Sequence, residues 1–99
     1  MMIPLLRRMF SNFSKRRTYD GVIITPAGRD EIWLIDGARK INIFIELSHG
    51  DVDRVIVRSS IKAWEPPYES EPLSQQKIDW IIRLVSKYLD DIGESHLIE

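Results

Sequence analysis

From Gly21 onward, apolar and polar positions alternate at a period of two, in four short runs separated by turn-forming residues. Val22 to Thr25 is the first, ended by Pro26-Ala27-Gly28-Arg29-Asp30, and Glu31 to Asp36 is the second, ended at Gly37. Ile41 to Leu47 shows the alternation most plainly. Ile41, Ile43, Ile45 and Leu47 fall on one side and Asn42, Phe44 and Glu46 on the other, which predicts a strand with one buried face and one mostly wet face. After Ser48-His49-Gly50-Asp51, the run Val52 to Arg58 sets Val55 and Val57 against Arg54, Ile56 and Arg58, and a shorter extended piece reaches Trp64. Links of about four residues are too short for the crossover that parallel neighbours need. The expectation is an antiparallel meander of four to five strands between Val22 and Trp64.

The period then changes. After Pro72, Ser74 is a suitable N-cap, and Ile78, Ile81, Ile82, Val85, Tyr88, Leu89 and Ile92 recur at helical spacing before Gly93. At 3.6 residues per turn they cover about 120°, enough to bury one face of a long helix on the sheet. Trp80 and Leu84 lie beyond that arc on the Tyr88 side. They either cover the sheet edge and the connector or form an exposed apolar patch. His96 to Ile98 either adds a last edge strand or frays. The fold class is therefore α+β: a meander sheet with one C-terminal helix packed on one face.

Between the two regimes lies Ile61-Lys62-Ala63-Trp64-Glu65-Pro66-Pro67-Tyr68. Each proline fixes φ and biases the residue before it toward extended backbone, so a stiff extended connector is expected. Trp64 and Tyr68 flank Glu65, Pro66 and Pro67, with Glu69 and Glu71 following. The two aromatics either fix the helix onto the sheet edge as core or offer rigid area to a partner, since Trp and Tyr are enriched among interface hot spots. The candidate partner-binding set is Trp64, Glu65, Pro66, Pro67, Tyr68, Glu69 and Glu71, extended by Trp80 and Leu84.

Charge sharpens this picture. Residues 1–19 hold Arg7, Arg8, Lys15, Arg16 and Arg17 with no acid, residues 20–64 are close to neutral, and residues 65–99 carry a net −5, which hides inside an overall −1. An acidic C-terminal third argues against nucleic acid there and for a basic partner. Met2 to Phe13 reads as a basic amphipathic helix, with Arg7 and Arg8 interrupting what would otherwise resemble an export signal. It suits a helix packed on the domain, an extension preceding an alternative start at Met9, or a membrane-surface anchor. We divide the chain into this segment, residues 1–19, and a single α+β domain, residues 20–99. A chain of 99 residues builds one small core. It has no cysteine, which removes disulfides and thiolate chemistry and suits a reducing cytoplasm, and it has no apolar run long enough to cross a membrane.

Catalytic patterns are not met. His49 and His96 lack the helical pairing or neighbouring cysteines of a metal site. Ser48-His49 with Asp51 has triad residue types, but neighbours in one turn do not reach nucleophile–base–orienter geometry. The glycines occur singly, so no phosphate-cradling loop is formed, and Asp51 with Asp53 reads as a solvated pair. No cofactor or metal is expected, and the chain reads as a binding protein, not an enzyme. The basic arm of residues 7–17, with Phe10 and Phe13, is the one stretch suited to phosphate contacts, which leaves a small nucleic-acid-associated or regulatory module as the alternative. A homodimer pairing through the wet sheet face or edge is a third.

The connector, followed by Glu71-Pro72-Leu73-Ser74 and a helix beginning Gln75-Gln76-Lys77-Ile78, resembles the bacterial immunity protein 74 family. The likeness in layout spans roughly Asp20 to Ile92, and its motif-like part is Ile61 to Ile82; residues 1–19 depart from the pattern. The resemblance implies a short sheet leading into a tryptophan-proline segment and a closing helix. It also implies an immunity protein of a polymorphic or contact-dependent toxin system, binding its cognate toxin domain in the cytoplasm.

Overall fold

A computed structural model describes residues 16–48 and 50–99. Six strands form one sheet in sequence order: β1 (Arg17–Tyr19), β2 (Val22–Pro26), β3 (Glu31–Asp36), β4 (Arg39–Leu47), β5 (Arg54–Ile56) and β6 (His96–Ile98). Among the described residues one α-helix, α1 (Gln75–Asp91), comes between the last two. As the alternation requires, Val22, Ile24, Ile32, Leu34, Ile41, Ile43, Ile45 and Ile56 all face one side and are buried. Against them α1 sets Ile81, Ile82, Val85, Tyr88 and Leu89, the middle of the expected stripe. Ile61, Trp64, Tyr19 and Ile92 complete the core.

The helix ends where local chemistry stops it. Ser74 Oγ accepts the Lys77 N–H at 3.1 Å, removing one unpaired donor of the first turn. At the other end Gly93 takes φ +80°, and the N–H groups of Gly93 and Glu94 donate to the carbonyls of Asp90 and Leu89. That is the Schellman closure, which needs a residue without a Cβ penalty at this place. Tyr19 Oη–H donates to Asp91 Oδ2 at 2.8 Å, tying the first strand to the last turn of the helix.

The sheet departs from the expected all-antiparallel meander in two ways. It begins earlier, because Asp20 (φ +51°) and Gly21 (φ +83°) form a two-residue hairpin that folds Arg17–Tyr19 back onto β2. Such positive φ at both loop positions is what Asp-Gly accommodates. It also ends differently: β6 pairs parallel to β5, with Arg54 opposite His96 and Ile56 opposite Ile98. The connector and α1 supply the long crossover that parallel strands require. The sheet is thus mixed and six-stranded.

β5 is shorter than its sequence suggests. Beyond Ile56 and Val57 the chain turns into a short 3-10 segment, Arg58–Ser60, with no strand reaching Trp64. Ser60 explains the stop: its Oγ accepts the Phe44 N–H at 3.1 Å and its hydroxyl donates to the Val57 carbonyl at 2.6 Å, taking the place of a ladder partner for β4. The inward residues of β5 are Arg54 and Ile56, while Val55 is half-buried on the other face.

Candidate partner-binding site

The connector does not run extended. Its backbone folds in successive turns, with the Tyr68 N–H donating to the Glu65 carbonyl and the Glu71 N–H to the Tyr68 carbonyl. It is held to the sheet at the start of β4, where the Glu65 N–H donates to the Lys40 carbonyl at 2.9 Å. This places Trp64 inside, with 4% of its surface exposed. Of the two readings of that tryptophan, the core one describes it.

Arg39, the first residue of β4, organises the connector beyond Trp64. Its Nε and Nη2 donate to Glu71 Oε1 and Oε2 at 2.8 and 2.6 Å, a two-bond pairing that a guanidinium suits better than an ammonium. Its guanidinium carbon lies 4.3 Å from the centre of the Tyr68 ring. The hydrogen bond from Arg39 holds the Glu71 carboxyl below the usual range, against a smaller opposing effect of desolvation. On the helix side, Lys77 Nζ lies 4.2 Å from the Trp80 ring centre, giving a second cation-on-aromatic pair near the start of α1.

Between these pairs is an open cleft of about 340 Å³, lined by Asp36, Arg39, Trp64, Glu71, Leu73 and Lys77. The residues proposed from the sequence therefore divide. Glu71 and Trp64 line the cleft, Tyr68 lies under Arg39, and Trp80 lies under Lys77. Pro66, Pro67 and Glu69 are exposed, Glu65 is half-exposed, and Leu84, like Trp80 and Tyr68, is partly buried against the core. Arg39 and Lys77 are the side chains that sequence reasoning passed over. Arg39 is separated from Glu71 by 32 residues, so no local spacing announces the pair. The arrangement offers fixed charge and aromatic surface side by side, which is recognition chemistry. Ser74 Oγ beside it is engaged as the helix cap.

The matching family profile is that of immunity protein 74, over residues 23–97. The chain belongs to the immunity protein 74 family. The match runs from β2 through β6, a wider span than the tryptophan-proline motif alone, and it starts after the basic segment that departs from the family pattern. No curated protein and no solved structure matches the chain. The Imm74 match covers the connector, the cleft and all of α1. Among the described residues, no helix is long and apolar enough to cross a membrane, and no group of three or more His, Asp or Glu side chains is placed to hold a metal ion. The expected amphipathic helix Met2 to Phe13 and His49 lie outside the described residues, as does most of the basic arm on which a nucleic-acid reading would rest.

Proposed function

We propose that this Imm74 protein neutralises a cognate toxin domain by stoichiometric binding in the cytoplasm, and that the connector with the first turns of α1 is the surface it uses. Family membership is the observation that carries the reading. The surface supports it physically: Arg39–Glu71 and Arg39–Tyr68 fix the connector before any partner arrives, which lowers the ordering cost of association. Tyr68 and Trp80 supply partly buried aromatic area of the kind found at interface centres, and Glu65 and Glu69 lie where they can steer a basic partner. Glu71 contributes less charge than its neighbours, since Arg39 balances it.

The test is co-expression with toxin domains encoded beside the gene. Growth rescue together with a one-to-one complex on size exclusion is the expected result. A toxin that remains lethal in the presence of folded, expressed wild-type protein would remove the immunity reading. Rescue that persists in Tyr68→Ala and Lys77→Glu variants would keep immunity and move the contact surface away from the connector.

A further inference from the structure

The sheet has two outer edges, and they are protected very differently. At β1 the edge carries Arg17, and Tyr19 is locked to Asp91. At β6 the edge is His96-Leu97-Ile98, a strand of three residues with no lysine, no proline and no bulge, so that of the devices that ordinarily keep an edge from recruiting another strand it has only its shortness. The Glu99 N–H donates to the Ile56 carbonyl, the Arg58 N–H donates to the Glu99 carbonyl, and the Ser95 carbonyl accepts from Asp53 and Arg54. Ser95 and Glu99 thus turn their backbone toward β5. By strand alternation the backbone groups of His96 and Ile98 point outward, away from every other strand of the sheet.

Side chains agree with the backbone. Among the described residues the exposed large hydrophobics are Leu47, Leu97 (57% exposed) and Ile98 (48%). Leu97 and Ile98 lie on the edge itself, on opposite faces, so a strand added beside β6 would cover both. Leu47 shares a row with Arg54 and His96. The surrounding charge selects the occupant. Asp53, which accepts from Ser95, Asp90, whose Oδ1 lies 3.7 Å from His96 Nδ1, and Glu94 and Glu99, which flank the strand, surround β6, while the nearby arginines, Arg54 and Arg58, are already paired with Asp30 and Asp79. A second copy pairing antiparallel about Leu97 would set Glu99 opposite the other copy's Ser95 and bring two copies of the same acidic surround together, an accumulation of like charge that disfavours it.

We infer that the β6 edge receives an extended segment of a protein partner, with aliphatic and basic side chains in alternation, as a seventh strand of the sheet. Backbone pairing supplies the attachment, Leu97 and Ile98 supply the apolar contacts, and the acidic surround supplies the selection. This holds whether or not a toxin docks at the connector, which lies at the opposite end of β4.

The probe is a blocked heptapeptide, Lys-Val-Lys-Val-Lys-Val-Lys, titrated into the full-length chain labelled with ¹⁵N, with Glu-Val-Glu-Val-Glu-Val-Glu as its counterpart. With the basic peptide, amide shifts should centre on residues 95–99, and exchange of the His96 and Ile98 amides should slow by about tenfold or more at saturation. The acidic peptide should do neither. Leu97→Lys, at a side chain that is more than half exposed, should retain the wild-type melt and abolish the response, and Ile98→Pro, which removes an outward N–H, should also abolish it. Shifts centred elsewhere, equal protection by both peptides, or an undiminished response in Leu97→Lys would overturn the inference. So would protection of the same amides without peptide in a sample that sediments as a dimer, which would give the edge to a second copy.

Discussion

Two arginines hold the two ends of β4, and they do so by opposite means. Arg39, the first residue of the strand, makes a short two-bond pair with Glu71 and stacks on Tyr68, yet both charged side chains remain about 40% exposed. Arg54, opposite the last residue of the strand, is 6% exposed. Its Nη1 reaches the carbonyls of Arg29 and Ile45 at 3.1 and 3.3 Å and Asp30 Oδ1 at 3.4 Å. By distance alone the Arg39 pair looks the stronger. Burial reverses the ranking for stability, because water readily replaces a lost partner at Arg39, whereas carbonyls left without a donor inside the fold carry their full desolvation cost. Arg39 therefore shapes a surface, and Arg54 holds a fold.

The scale for testing this is set by the core between them. Ile82 is 5% exposed in the middle of the helix stripe, and Ile82→Asp would bury an uncompensated carboxylate at a cost of several kcal/mol, on the order of the whole stability of a small domain. Loss of the folding transition in a thermal melt is the expected outcome. Asp79→Ala, on the exposed side of the same helix where Asp79 meets Arg58 and Gln75, should melt close to wild type. Equal midpoints for the two variants would show that the helical phase is misplaced.

Next in size is the direct contrast of the arginines. Arg54→Ala should cost about 3 kcal/mol, a fall of roughly 10 °C or more in melting midpoint for a domain of this size. Arg39→Ala should lower the midpoint by a small fraction of that, and the loss should shrink further in high salt. Comparable losses would break the comparison and would mean that the connector, through Arg39, carries core stability.

A smaller effect distinguishes the ends by the sign of their pH response. Glu71 has its carboxyl lowered by the hydrogen bond from Arg39, so its contribution is present above the unfolded carboxyl range and lost as pH falls through the folded value. Glu94, near Arg54, is shifted the other way: burial raises it, outweighing the attraction of Arg54. Its contribution is complete below the unfolded range and lost as pH rises through the raised value. At neutral pH Glu71→Gln should therefore melt below wild type and Glu94→Gln above it. Both differences should vanish in acid, where all four side chains are neutral. Melts of the three proteins from acid to neutral pH decide the matter, and differences of the same sign would contradict it.

What the sequence reveals depends on the range of the interactions. β2, β3, β4 and α1 are legible because period two, period 3.6, Ser74 and Gly93 are local signals whose physics acts within a few residues. β1 carries one such signal in Asp20-Gly21, and an expectation that starts the sheet at Val22 leaves it unused. The end of β5 depends on Ser60 reaching across to Phe44, and the parallel pairing of β6 depends on where a helix of 17 residues delivers the chain. Neither has a local signature. The same holds for both arginines: Arg54 reads as an outward charge until its carbonyl partners are folded around it, and Arg39 finds Glu71 only across the connector. The candidate surface is thus visible in its aromatics and acids, and invisible in the cations that order them.

The smallest effect on stability concerns the exposed end alone. Glu69 is exposed on the connector, and unlike Glu71 it is not drawn into the Arg39 pair. Glu69→Lys should leave the melt within experimental scatter of wild type, because reversing a solvated charge with no close partner changes little in the folded state. If the connector meets a basic toxin surface, the same substitution should slow association, and the slowing should fade as salt is raised past the point where the charges no longer sense each other over the Debye length. Dissociation should change little. Stopped-flow or surface-binding kinetics with the toxin domain, run at low and high salt, measures both rates. A change confined to dissociation would place Glu69 inside a tight contact instead of at its rim. An unchanged association rate at low salt would mean that the partner approaches elsewhere, and that the ordered Arg39 cluster serves only to seat the helix on the sheet.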